Sequence, residues 1–142
     1  MSSILHLPTG ERDRIRAWAE AGYPEECCGL LVGQQEQGQA RVACATSARN
    51  LNRERARDRY EFSGEDFLVT DREAAAAGLE VVGVWHSHPD HPARPSETDR
   101  SQAWSGWSYL IVAVADGVLV DLRSWRLDGE RFFEEEVATW QP

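Results

Sequence analysis

The order of strand-like and helix-like segments along the 142 residues predicts an α/β fold, with one mixed, curved sheet and helices packed on its faces. Apolar runs of strand length alternate with segments that carry helix-start signals, and three strands joined by Asp-Gly turns close the chain. Hydrophobic residues make up 42% of the sequence and six tryptophans are present. This is enough for one core, so we expect a single domain over residues 1–142, an α/β sandwich.

The first elements are a short strand, a helix and a β-hairpin. Thr9 can cap the helix, and Gly22 ends it. Residues 28–33 form an uninterrupted apolar run, which is typical of a strand buried on both faces. A polar turn at 34–39 leads into the returning strand. The predicted ranges are strands at 4–7, 28–33 and 41–46 and a helix at 9–21.

Residues 48–59 are the most charged stretch and predict an exposed loop. The segment is either a solvated connection or an arginine-bearing rim that steers an acidic partner. Ser63 with Asp66 has the form of a capping box and predicts a helix start. The remaining predicted ranges are helices at 63–77 and 96–104 and strands at 80–88, 108–115, 118–127 and 131–137.

Charge and composition exclude several classes of partner. The net charge of −9 disfavours nucleic acid, because phosphate backbones bind positive surfaces. All fifteen cationic side chains are arginine, which fits GC-rich codons or a salt-adapted surface and identifies no activity. No apolar run is long enough to span a membrane, and the first residues lack the features of a secretion signal. Three cysteines, an odd number, argue against a disulfide framework, so we expect a cytoplasmic protein.

The most informative segment contains His86 and His88, followed by Ser96 and Asp99. Side chains two apart on a strand share a face, so both imidazoles project to the same side. A stiff, proline-rich connection leads to Ser96 and Asp99, which share a face if a helix begins there. Two imidazoles and one carboxylate suit a zinc ion with one open position. Ser96 and Asp99 also fit a helix N-cap with its first-turn acid, and the two roles are compatible.

Hydrolysis at such a centre needs a general base. Glu25 and Glu26 precede the buried run that starts at Cys28, so either carboxylate is a candidate. A carboxylate at the edge of the core would be desolvated and have a raised pKa. The alternative is that both are ordinary acids at the start of a strand.

The segments from Glu26 to Leu31, His86 to Pro89 and Pro95 to Asp99 together resemble the JAMM (MPN+) metalloprotease family, whose pattern is E-x-C-G followed by H-[ST]-H-P-x6-S-x2-D. The resemblance implies an MPN/JAMM-like fold, which is cytidine-deaminase-like. It implies His86, His88 and Asp99 as zinc ligands and Glu26, rather than Glu25, as the catalytic acid/base. It also implies that Ser96 polarises the scissile carbonyl or stabilises the oxyanion.

The segments at 23–31 and 88–96 look most like the compact prokaryotic branch of that family. This implies hydrolysis after the C-terminal Gly-Gly of a ubiquitin-like or sulfur-carrier protein, with removal of a residue or an amino-acid adduct. A non-catalytic MPN scaffold is the competing hypothesis. The oligomeric state and the roles of Cys27, His91 and Arg94 stay open, and Cys28 is expected to be a packed core thiol.

Overall fold

Seven strands and three helices lie in the part of the chain that the computed structural model describes, residues 3–57, 59–61 and 63–140. None of these helices is long and apolar enough to cross a membrane. In chain order the elements are β1 (Ile4–Pro8), α1 (Thr9–Gly22), β2 (Cys28–Glu36), β3 (Gln39–Ala45), α2 (Gly64–Ala76), β4 (Glu80–Pro89), α3 (Glu97–Gln102), β5 (Ser108–Ala115), β6 (Val118–Asp128) and β7 (Arg131–Trp140).

The strands form one mixed sheet that closes on itself in the order β1-β3-β2-β4-β5-β6-β7. β1 closes it by pairing in parallel with two strands, so that Leu5 lies opposite Ala40 of β3 and Val137 of β7. β4 and β5 are also parallel, and the other neighbours are antiparallel. The predicted α/β class with a mixed, curved sheet is confirmed, and the closure through β1 is an addition to it.

Several element boundaries differ from the predicted ones. β2 continues to Glu36 because the polar end of the strand pairs with the start of β3, with Glu36 opposite Gln39. β7 continues to Trp140, which lies opposite Pro8 of β1. The third helix is shorter than predicted, ending at Gln102, because Ala103 adopts an extended backbone.

β4 is the most deeply buried element after its first residue, and it carries the two histidines at its end. Trp85 is fully buried and stacks on Trp18 of α1, with ring centroids 5.9 Å apart. Its indole Nε1 donates to the carbonyl of Thr46 at 2.8 Å. Truncating a fully buried aromatic of this kind costs about 3–5 kcal/mol. These contacts of Trp85 hold β4, the strand that carries the histidines, in the core.

Gly29 lets β2 approach β4 and the segment after β3 closely. A Cβ atom at this position would meet the Thr46 carbonyl oxygen at 1.8 Å and Trp85 Nε1 at 2.2 Å. Any side chain would therefore break the Trp85–Thr46 hydrogen bond and push β2 away from β4. This contact explains the glycine that follows Cys28 in the motif.

Candidate metal centre

The two histidines lie at the carboxyl end of β4 with their rings on the same side of the strand. His86 Nε2 and His88 Nε2 are 3.1 Å apart. His86 is fully buried and His88 is nearly so, since both flank the buried β4–β5 pairing. The period-two expectation for this segment is confirmed.

Asp99 reaches the same point from the first turn of α3. Its Oδ2 lies 3.1 Å from His88 Nε2 and 3.4 Å from His86 Nε2. Ser96 caps this helix: its Oγ accepts from the Asp99 backbone N–H at 3.0 Å, and its own N–H donates to Asp99 Oδ2 at 2.8 Å. The reciprocal bonds fix the Asp99 side chain, so the capping role anticipated for this pair is present.

The spacing of these three atoms fits a zinc ion. Ligands about 2.0 Å from a tetrahedral ion stand about 3.3 Å from one another. The three measured separations lie between 3.1 and 3.4 Å. Nitrogen and oxygen donors with one position left over are typical of catalytic zinc sites.

Hydrogen bonding behind His88 sets the ring for metal binding. Its Nδ1 lies 2.8 Å from the carbonyl oxygen of Pro92. A carbonyl only accepts, so Nδ1 carries a proton, and loss of the other ring proton frees the Nε2 lone pair that a metal needs. The proline-rich connection thus orients a histidine as well as delivering Ser96 and Asp99.

Burial and mutual contact shift the pKa values of the three groups. Burial lowers the pKa of His86 and favours its neutral form. Burial alone would lower the pKa of His88, but hydrogen bonds to Asp99 and Pro92 outweigh it and raise that pKa. Burial alone would raise the pKa of Asp99, but hydrogen bonds from His86 and His88 hold it well below its usual range. Asp99 is therefore an ionised carboxylate suited to a cation.

Glu26 supplies a second carboxylate at this point. One of its oxygens and one ring nitrogen of each histidine all lie within 4.8 Å of one another, and Glu26 is buried. Glu25 is exposed and lies outside this group. The choice between the two acids, left open by spacing alone, favours Glu26.

Ser87, between the two histidines, ties the Glu26 segment to β4. The Cys27 backbone N–H donates to Ser87 Oγ at 2.8 Å, and the Ser87 N–H donates to the Cys27 carbonyl at 2.9 Å. These bonds fix the Glu26 segment relative to β4, and so position the carboxylate relative to the two imidazoles.

The charged loop between β3 and α2 covers the centre through two residues that the sequence did not single out. Tyr60 is stacked on the His86 ring, with centroids 4.5 Å apart. Asn50 Nδ2 donates to the carbonyls of Glu26 at 3.1 Å and Arg59 at 3.0 Å. Its Oδ1 accepts from the backbone N–H groups of Asn52 and Glu61, both at 3.0 Å. An Asx turn after a strand was the available signal, but its long-range partners are invisible in the sequence.

The sequence also singled out two cysteines, His91 and Arg94. Cys28 is fully buried, and burial raises its pKa to about 12, as expected for a packed thiol. The Cys27 sulfur lies 3.6 Å from the Trp18 carbonyl, against α1 rather than toward the centre. His91 and Arg94 are exposed, and their roles stay predictions.

The chain is similar to several known proteins. The family described as prokaryotic homologs of the JAB domain matches residues 8–128. The chain is 35% identical to a desampylase of Haloferax volcanii, over 96% of this chain and 97% of that protein. It is 29% identical to the CysO-cysteine peptidase of Mycobacterium tuberculosis, over 85% of this chain and 81% of that protein. A solved structure from Desulfitobacterium hafniense superposes with a TM-score of 0.86 at 26% identity, covering 97% of this chain and 94% of that one.

Proposed function

The chain belongs to the family of prokaryotic homologs of the JAB domain, and on that premise we propose that it is a zinc peptidase that cleaves after the C-terminal Gly-Gly of a ubiquitin-like or sulfur-carrier protein. The observation that carries the proposal is the convergence of His86, His88 and Asp99, with Glu26 within 4.8 Å of both histidines. The names of the relatives, a desampylase and a CysO-cysteine peptidase, support a carrier-type substrate.

We assign His86, His88 and Asp99 as the metal ligands. Their donor atoms have the spacing of a tetrahedral face, and the His88 ring is held in the metal-binding tautomer by Pro92. When bound, zinc supplies Lewis acidity, which polarises the scissile carbonyl and makes the attacking water more acidic. The free cysteines are compatible with the reducing cytoplasm that we propose as its location.

Glu26 acts as the general base and then as the general acid. Its carboxylate takes the proton of the attacking water and transfers it to the leaving amine as the C–N bond breaks. Burial beside the histidines suits this role, because it keeps the carboxylate apart from bulk water. The two hydrogen bonds between Cys27 and Ser87 hold it in register with the ligands.

Ser96 is proposed to assist at the carbonyl oxygen. Its Oγ accepts one bond from the Asp99 N–H, which leaves its own hydroxyl proton free to donate. A donated hydrogen bond to the developing oxyanion stabilises the transition state. The exposed position of Ser96 on α3 is compatible with contact to an incoming peptide.

The test is cleavage of a sulfur-carrier protein extended by one residue beyond Gly-Gly, followed by mass spectrometry of the products. The zinc-loaded protein is expected to release the extension, and Glu26→Gln to lower kcat by about 10²–10⁴-fold while zinc content stays unchanged. Glu25→Gln is the matched control, since its carboxylate lies outside the histidine group. Intact substrate with wild type, or equal rates for wild type and Glu26→Gln, would overturn the proposal.

The competing scaffold hypothesis makes a different prediction. A scaffold does not require the ligand set, so it would bind zinc at less than one equivalent at neutral pH. The three donor atoms at ligand spacing favour the peptidase. Zinc analysis of the purified protein distinguishes the two.

A further inference from the structure

The two histidine rings of the metal centre are held in different ways. His88 Nδ1 has a polar partner, the carbonyl oxygen of Pro92 at 2.8 Å. His86 Nδ1 is buried and has no hydrogen-bond partner among the residues that the structure describes. A histidine that binds a metal through one nitrogen usually donates from the other to a carboxylate, a carbonyl or water, and this bond fixes the ring. For His86, side-chain packing is the restraint that the described residues offer.

The strands on either side of β4 give His86 neighbours without an oxygen acceptor. His86 pairs with Cys28 of β2 and with Ile111 of β5. Side chains at paired positions lie on the same face of a sheet, and both of these residues are fully buried. A thiol and an aliphatic chain can pack beside an imidazole, but neither orients its N–H as a carbonyl does. The orientation of the ring therefore depends on what covers its face.

Tyr60 covers that face. Its ring is stacked on the His86 ring, with centroids 4.5 Å apart and an angle of 27° between the ring planes. The main chain next to Tyr60 is fixed, because the carbonyl of Glu61 accepts from the Leu51 N–H at 3.0 Å. A flat contact of this kind restricts the imidazole, since rotation about its Cβ–Cγ bond would drive one edge into the aromatic ring.

We propose that Tyr60 is a positioning residue for the zinc ligand His86. The stacked ring keeps His86 Nε2 at 3.1 Å from His88 Nε2 and 3.4 Å from Asp99 Oδ2, the spacing that the ion requires. The restraint comes from the aromatic ring and not from the phenol hydroxyl. This inference rests on the proposed function, because it concerns a ligand of the proposed metal.

Two substitutions separate the ring from the hydroxyl. Tyr60→Phe keeps the ring, whereas Tyr60→Leu removes it and leaves an apolar side chain. The zinc Kd, measured by competition with a chelating indicator, should stay within about twofold of wild type in Tyr60→Phe and rise about 10–100-fold in Tyr60→Leu. The visible spectrum of the cobalt(II)-loaded protein depends on ligand geometry, so it should be unchanged in Tyr60→Phe and altered in Tyr60→Leu.

Phe67 of α2 provides a matched control. Tyr60 and Phe67 are both partly buried and pack against the same apolar cluster, which consists of Leu30, Val81, Val84 and Tyr109. The ring contact of Phe67 is with Trp107, at 5.9 Å between centroids. Phe67→Leu therefore removes an aromatic ring from the cluster and keeps the stack on His86. Its zinc Kd should equal that of wild type, even if denaturant unfolding shows the same loss of stability as in Tyr60→Leu.

The stack can also be observed in the zinc-free protein. The ring current of Tyr60 should shift the ring protons of His86 upfield in the NMR spectra of wild type and Tyr60→Phe. The shift should vanish in Tyr60→Leu. Tyr60→Met, which also lacks the ring, takes the place of Tyr60→Leu if that variant does not fold.

The results that overturn this inference differ from those that overturn the proposed function. A wild-type protein that binds no zinc overturns the proposed function and the inference with it. If wild type binds zinc, an unchanged Kd in Tyr60→Leu overturns the positioning role alone. Equal losses of affinity in Tyr60→Phe and Tyr60→Leu, or in Phe67→Leu and Tyr60→Leu, also overturn it and leave the proposed function intact.

Discussion

Two groups of buried polar side chains lie toward opposite ends of the closed sheet, and their charges are balanced in different ways. Near the metal end, His88 pairs with Ala113 close to the end of β5, and His86, His88 and Asp99 converge. Arg126 lies toward the other end of the sheet. It follows Trp125, which pairs with Tyr109 near the start of β5. There the buried Glu135 accepts from Ser124 Oγ at 2.7 Å and from Arg126 Nε at 3.0 Å.

The difference lies in the source of the positive charge. Arg126 brings a permanent cation, so the Glu135 group is balanced by the protein alone. In the other group, two imidazole nitrogens and a carboxylate oxygen face one another, and in the proposed function a zinc ion would supply the positive charge. Buried polar groups therefore serve the fold at one end and, by our proposal, the chemistry at the other. Substitutions should separate the two: loss of activity at the metal end and loss of stability at the Glu135 end.

The largest expected effect comes from Asp99→Asn. The amide keeps the size of the side chain but removes the anionic ligand, so zinc affinity should fall and cleavage should drop at least about 10³-fold. Zinc content by mass spectrometry and thermal unfolding check it, since the metal-free protein should stay folded. Chelation of wild type should reproduce the loss, and zinc should restore it. The exposed Glu97→Gln on the same helix is the control, and full activity in Asp99→Asn would contradict the assignment.

Glu135→Gln tests the polar group at the other end of the sheet. It leaves the Arg126 charge buried without its counter-ion, so the free energy of unfolding should fall by about 3 kcal/mol. The kcat of the folded protein should be unchanged, because the metal ligands lie elsewhere. Denaturant unfolding measures the free energy of unfolding. Activity assays below the unfolding transition measure kcat. A double change, Glu135→Met with Arg126→Met, should recover stability, because no charge is left unpaired. Normal stability with lost activity would show that the two groups are coupled.

Asn50→Ala should give the smallest of these effects. It tests whether the loop helps to hold Glu26 at the metal end. It removes one bond to the Glu26 carbonyl and three bonds within the loop that carries Tyr60. Misplacement of Glu26 should lower kcat about tenfold with zinc content retained. Unchanged kcat, or loss of zinc, would contradict a role in holding the base.

The sequence predicts the elements and the convergence of His86, His88 and Asp99 well, because both follow from local signals. The period of two places His86 and His88 on one face, and the capping pattern places Asp99 in the first turn of α3. Closure of the sheet was not predictable, because the double pairing of β1 is a long-range choice with no local pattern. The same reason hid Asn50 and Tyr60: a polar, arginine-rich segment indicates exposure, and its arginines 53, 55 and 57 are exposed. The contacts that this segment makes with Glu26 and His86 depend on the tertiary fold, which brings it next to them.

The double pairing of β1 also orders events during synthesis. Ile4 lies opposite Glu136, so the partners that close the sheet are 132 positions apart along the chain (136 − 4). All of the proposed ligands and the base are translated before β7. Until then the nascent chain carries open strand edges, which are templates for aggregation. β7 is therefore the strand that closes the sheet, and slow elongation before it is complete would prolong the exposure of these edges.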